Sequence, residues 1–148
     1  MTIRENDVVV IPTQIQSLFD DGSRQSWLPV DAELIYHSLD PYAVTLSLPP
    51  ISDDPAELPT TRTWSRELTA EGLEHPAGIG TVHIYPDDDH DWIRIDLTSE
   101  TGTPSRCRVD REALTALLAR SVVIRPPGQE YNEHEFNIGL ADIMNDPY

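Results

Sequence analysis

Apolar and polar residues alternate one by one through much of the chain. In "VDAELIYHS", Val30, Ala32, Leu34 and Tyr36 interleave with Asp31, Glu33, Ile35 and His37. In "YAVTLSL", Tyr42, Val44, Leu46 and Leu48 interleave with Ala43, Thr45 and Ser47. A period of two belongs to half-buried antiparallel strands. Asp40-Pro41 in "SLDPY" joins the two as a hairpin. Upstream, "VVVIPTQIQSLF" predicts another strand, in which Pro12 marks an edge or a bulge because it has no N–H to give to a ladder.

"LPPISDDPAELPT" reads as a surface loop inside one domain. Thr61 to Trp64 form a short strand. Ser65 then caps a brief helix, "SRELTAEGL", with Glu67 in its first turn and Gly72 near its end. Three more strands follow. "GTVHIYP" points Val82 and Ile84 one way and His83 the other; "DWIRIDLTS" points Ile93, Ile95 and Leu97 inward and Arg94, Asp96 and Thr98 outward. "SRCRVD" is the third, reached through a turn in "SETGTP". Asp110 caps a helix in "REALTALLARSV", with Leu114, Leu117, Leu118 and Val122 as its apolar stripe and Arg120 in its last turn. "RPPGQE" stops it. A C-terminal helix is predicted in "FNIGLADIMND", with Phe136, Leu140, Ile143 and Met144 on one face.

Strands, a short helix, strands and then helices make an α+β fold: antiparallel β-sheets with a short central helix and C-terminal helices. With 148 residues the chain is expected to be one domain, 1–148, with residues 1–7 as a flexible N-terminal extension.

Charge narrows the function. Ten basic residues, all of them arginine, stand against 26 acidic ones, for a net charge of −16. Such a field repels phosphate backbones and anionic lipid surfaces. The one short basic candidate is Arg106, Arg108 and Arg111. Cys107 is the only cysteine, so no internal disulfide can form, and its place beside Val109 predicts a buried, inert thiol. The start, "MTIRENDVVVI", lacks the order of a signal peptide, and no apolar run is long enough to span a bilayer. The expectation is a cytoplasmic protein without membrane insertion.

The densest candidate chemistry is "IYPDDDHDWI". It fails as a calcium loop, because Trp92 stands where the sharp turn needs glycine and Thr98 where a bidentate glutamate belongs. His83, His90 and Cys107 have no zinc spacing. Asp87 to Asp91 are therefore read as a solvated acidic hairpin turn, and no metal is expected. There is no phosphate loop and no nucleophile elbow, and the histidines are scattered, so neither catalytic residues nor a cofactor are expected. Trp64 reads as core. Trp92 faces the side of Arg94 and Asp96, and is either an interface anchor or packed within its own chain. Trp92 and Arg94 are the candidate partner-binding residues.

Four stretches carry a resemblance: "DPYAV" (Asp40 to Val44), "TWSRELTAEGLEHPAGIGTVHIYP" (Thr63 to Pro86), "VDREALTALLARS" (Val109 to Ser121) and "PPGQE" (Pro126 to Glu130). In this order they resemble the SsgA-like proteins, sporulation and cell-division regulators of actinobacteria, including the SsgB type. Tyr85 departs from the pattern, where many members look Trp-like. The resemblance implies a fold similar to the Whirly single-stranded-DNA binders, assembly as a homotrimer and no catalysis. It implies contacts with the division tubulin homologue FtsZ, or with other SsgA-like proteins, at the septum. A nucleic-acid binder is the alternative by fold analogy alone, and the charge opposes it. Gly72, Gly78, Gly80 and Gly128 are expected at backbone turns, Pro41, Pro126 and Pro127 as fixed loop points, and Trp64, Leu68, Leu114, Leu117 and Leu118 as core.

Overall fold

A computed structural model describes residues 7–50, 52–98 and 104–130. In chain order the elements are β1 (Val8–Asp20), β2 (Gln25–His37), β3 (Ala43–Leu48), β4 (Thr60–Ser65), α1 (Arg66–Gly72), β5 (Ala77–Ile79), β6 (Val82–Pro86), β7 (Trp92–Thr98), β8 (Pro104–Asp110) and α2 (Arg111–Ile124). Four strands and a helix thus occur twice, a repeat that the sequence does not display.

All eight strands form one antiparallel sheet in the order β4-β3-β2-β1-β8-β7-β6-β5. Each half is a meander. The halves meet where β1 pairs with β8, over only Ile15 to Ser17. Helix α1 packs on β3 and β4 at one end of the sheet and on β5 and β6 at the other, so the sheet curls around it. Helix α2 closes the middle against β1, β2 and β8.

The alternation of apolar positions explains the core. Paired residues share a face of the sheet. Ile15, Leu34, Tyr36, Val44, Leu46, Ile84, Ile93, Ile95 and Val109 all fall on the helix side and are buried. Leu114 and Leu117 meet them from α2. Each such side chain contributes about 1.5–3 kcal/mol by leaving water. The two predicted caps form: Ser65 Oγ accepts from Leu68 N at 3.1 Å, and the Asp110 carboxylate accepts from Glu112 N at 2.8 Å. Pro12 lies before the segment paired with β8, where β1 pairs with β2.

Several expectations need correction. β2 starts at Gln25 rather than Val30, since a long hairpin with β1 carries it through Pro29. Tyr42 is exposed, because it still belongs to the turn that Ala43 N closes onto Asp40 O, and the core begins at Val44. Val122 is exposed as well, and Ser121 takes the buried place beside Leu118. Helix α2 runs on to Ile124, so Arg120 is not in its last turn. β5 was hidden in "AGI", whose glycine reads as punctuation. Gly72 and Gly78 are not turn residues: a Cβ would collide with Ile84 at the first and with the His83 ring at the second. Gly80 and Gly128, at φ +59 and +82, are true turn glycines. Residues 1–6, the "SETGTP" turn before Pro104 and the predicted C-terminal helix lie outside the described residues.

Cys107 is buried on the core face opposite Ile95. Burial pushes its thiol up to about 12, with the Asp96 carboxylate adding in the same direction. The folded state therefore holds this proton more tightly than the unfolded chain. That stabilisation is complete below about pH 8.5, the unfolded value, and is lost as pH rises towards 12. At pH 8 iodoacetamide should leave the native thiol unmodified and give one adduct after denaturation, as read by intact mass. Stoichiometric labelling of the native protein would contradict this burial.

Candidate functional site

The face of the sheet turned away from the helices carries an unusual set of side chains. Cross-strand register builds it. Arg94 on β7 is opposite Arg108 on β8 and opposite Tyr85 on β6, while Arg108 is opposite Gln16 on β1. Trp27 reaches the same face from β2 and Trp92 from β7.

The two guanidinium groups stack among three rings. Arg94 lies 4.9 Å from the Trp27 ring centre and 5.6 Å from that of Tyr85. Arg108 lies 4.6 Å from Trp27 and 4.9 Å from Trp92. Trp27 is thus shared by both arginines. Like charges directly opposite each other on a sheet repel. Asp87 answers that repulsion, with one carboxylate oxygen 3.7 Å from Arg94 Nη1 and the other 3.2 Å from Arg108 Nη1. Arg108 Nε also donates to Gln16 Oε1 at 2.6 Å. Tyr85 donates to Asp96 Oδ2 at 2.9 Å. Partial burial, then that bond and the Asp96 charge, raise the phenol above its usual range.

The sequence placed Trp92 and Arg94 on this face correctly. It missed Trp27, Tyr85, Gln16 and Arg108 as their neighbours. The signal available was the long β1–β2 hairpin, which brings Trp27 over the second half of the chain. The acidic turn also changes meaning. Asp88, Asp89, His90 and Asp91 are exposed, as read from sequence, but Asp87 is half-buried and held by two arginines. Among the described residues no three His, Cys, Asp or Glu side chains converge on a metal position. The one short basic candidate, Arg106, Arg108 and Arg111, does not make a continuous stripe. Arg106 is exposed, Arg108 faces Asp87 and Gln16, and Arg111 donates to the carbonyls of His90 and Leu73 at 2.7 and 2.9 Å.

A second polar cluster lies inside the fold. Arg66, at the start of α1, is buried and its Nη1 lies within hydrogen-bond distance of Ser121 O, Ser121 Oγ, Arg125 O and Tyr36 Oη. Its Nη2 is 3.4 Å from Glu130 Oε1, which also accepts from Gly128 N at 2.8 Å. Tyr36 in turn donates to Pro41 O at 3.1 Å. This cluster ties both helices, the β2–β3 turn and the "PPGQE" stretch together. Its members are buried and tied to backbone carbonyls of Ser121, Arg125 and Pro41, which is the mark of a structural anchor.

Known proteins share this fold. The family described as "Streptomyces sporulation and cell division protein, SsgA" matches residues 30–130. The sporulation-specific cell division protein SsgB of Streptomyces coelicolor is 32% identical over 124 residues, covering 82% of this chain and 87% of that protein. SsgB of Salinispora tropica is 30% identical over 146 residues, covering 97% and 98%. The crystal structure of an SsgA-like sporulation-specific cell division protein from Thermobifida fusca superposes with a TM-score of 0.77 at 25% identity, covering 96% of this chain and 98% of that one. A solved SsgB structure linked to sporulation of Streptomyces coelicolor gives a TM-score of 0.70 at 31% identity, covering 86% and 95%.

Proposed function

Because this chain belongs to the SsgA family of sporulation and cell division proteins, we propose that it is a non-catalytic regulator of sporulation-specific cell division. It acts by binding other proteins, with the outer face of the sheet as its docking surface. The observation that carries this reading is the stacked cluster of Trp27, Arg94, Arg108, Trp92 and Tyr85. Tryptophan, tyrosine and arginine are the residues that anchor protein interfaces, and here they are concentrated on a face that neither helix covers. The partners we assign are FtsZ or another SsgA-like protein at the septum, and further copies of this chain in a homotrimer.

Two features support binding over catalysis. The one thiol is buried and strongly protonated, so it is no nucleophile. The half-buried charges of the outer face are set against one another rather than against an open pocket. Nucleic acid is disfavoured, because a run of phosphates would meet the field of a chain whose net charge is −16.

Co-sedimentation with FtsZ polymerised in GTP tests the proposal. The protein should pellet with polymer above a polymer-free control. Protein that stays in the supernatant at saturating polymer would contradict direct recruitment. Light scattering should report three times the 16.6 kDa chain mass; a monodisperse monomer would contradict the trimer.

A further inference from the structure

We infer that the paired guanidiniums of Arg94 and Arg108 form a carboxylate seat that Asp87 fills in the free chain, and that an acidic segment of a partner protein takes Asp87's place. This inference rests on the outer face being the docking surface.

Arg94 is the key observation. Its nearest carboxylate oxygens, of Asp87 and Asp96, stand at 3.7 and 4.0 Å, beyond hydrogen-bond distance. Its Nε is buried and has no hydrogen-bond partner among the described residues. Arg108 and Arg111 differ, with acceptors at 2.6 to 3.2 Å. A half-buried guanidinium held by two rings and, among the described residues, by no hydrogen bond is an unmet donor. With Trp27 and Tyr85 packed against it, Arg94 offers a carboxylate its Nη1 and Nη2 groups, which already lie nearest the oxygens of Asp87 and Asp96.

Asp87 shows that the seat accepts a carboxylate, and that this one fits it poorly. It hydrogen-bonds Arg108 at 3.2 Å, while its ion pair with Arg94, at 3.7 Å, is too long for a hydrogen bond. Its backbone N is fixed to Trp92 O at 3.1 Å, so the loop cannot move it closer. Only its side chain must turn to vacate the seat, and the exposed turn beside it opens to water. A partner's Asp or Glu, free of that tether, can meet both arginines. The net charge of −16 does not forbid this. Charges more than about 8 Å away are largely screened at physiological salt, while contacts at hydrogen-bond distance are not. Arg106, exposed opposite Asp96, adds a third positive group on the same face.

Tryptophan fluorescence reads the seat directly, because two of the three tryptophans stack on its arginines. The probes are deca-glutamate and, as the competing chemistry, deca-thymidylate, titrated into the full chain. Deca-glutamate should give a saturable change. D87N should bind it about ten-fold tighter, since removing an internal occupant removes the population cost of displacing it. R94Q should lose the response, while R62Q on β4 should keep it. Melting curves on each variant separate lost binding from lost fold. Absence of a response in both the wild type and D87N would overturn the inference, as would equal affinity in the two. Tighter binding of deca-thymidylate would overturn it in favour of nucleic acid. The two readings fail separately. Pelleting with FtsZ but no glutamate response sinks only the seat; glutamate binding without pelleting sinks only the recruitment.

Discussion

Arg66→Met should lower stability by about 3–5 kcal/mol, a fall in melting temperature of roughly 6–20 °C for a chain of this size. The side chain is only 7% exposed and its Nη1 is set against Ser121 O at 3.2 Å and Arg125 O at 2.7 Å. Methionine fills similar volume, so the loss is one of polar partners rather than of packing. It takes from the buried Glu130 carboxylate its Arg66 partner, and it leaves the last carbonyls of α2 without that donor. Glu130→Gln should cost less, because the amide oxygen still accepts from Gly128 N. The double variant should be less damaged than the sum of the two singles, since the carboxylate that lost its partner is gone. Denaturant unfolding of the four proteins measures this coupling. Additive losses would show that Arg66 and Glu130 do not act as a pair.

The second large effect is expected at Trp64. Trp64→Ala should cost about 3–5 kcal/mol, the range for emptying a buried tryptophan site. The indole is 4% exposed and sits opposite Val44, where β4 leads into α1. Its Nε1 donates to Thr69 Oγ1 at 2.8 Å, and that hydroxyl donates to Ser65 O at 2.8 Å. The indole therefore fixes the first turn of a seven-residue helix that could not persist alone. Trp64→Phe keeps most of the volume, and Thr69 keeps its bond to Ser65. That variant should lose only about 1–2 kcal/mol. Equal losses for Ala and Phe, read from urea midpoints, would mean that the hydrogen bond and not the packing carries the site.

The difference between these residues and the outer face explains what could be read from sequence. Trp64, Leu114 and Leu117 were legible because alternation and helical spacing are local signals. The Ser65 and Asp110 caps were legible because side-chain chemistry at helix starts is local too. Arg66 was not, since its acceptors come from Ser121 and Arg125, far along the chain. Nor was the curl of the sheet, which depends on α1 touching both ends. Trp92 and Arg94 were placed on the outward face by period two alone. Their setting needed the register of β6, β7 and β8 and the length of β2, which carries Trp27 to them. Asp87 was misjudged with the rest of its acidic run, because sequence shows charge but not which charge turns back onto the sheet.

The most direct test of the outer face as the working surface is FtsZ co-sedimentation of a W27A/R94Q variant beside the wild type and an exposed-helix control, Glu71→Gln. Both variants must first melt within a few degrees of the wild type. The expected result is pelleting by the wild type and the control, and its loss in W27A/R94Q. Undiminished pelleting of a folded W27A/R94Q variant would contradict the account and move the docking surface elsewhere on the molecule.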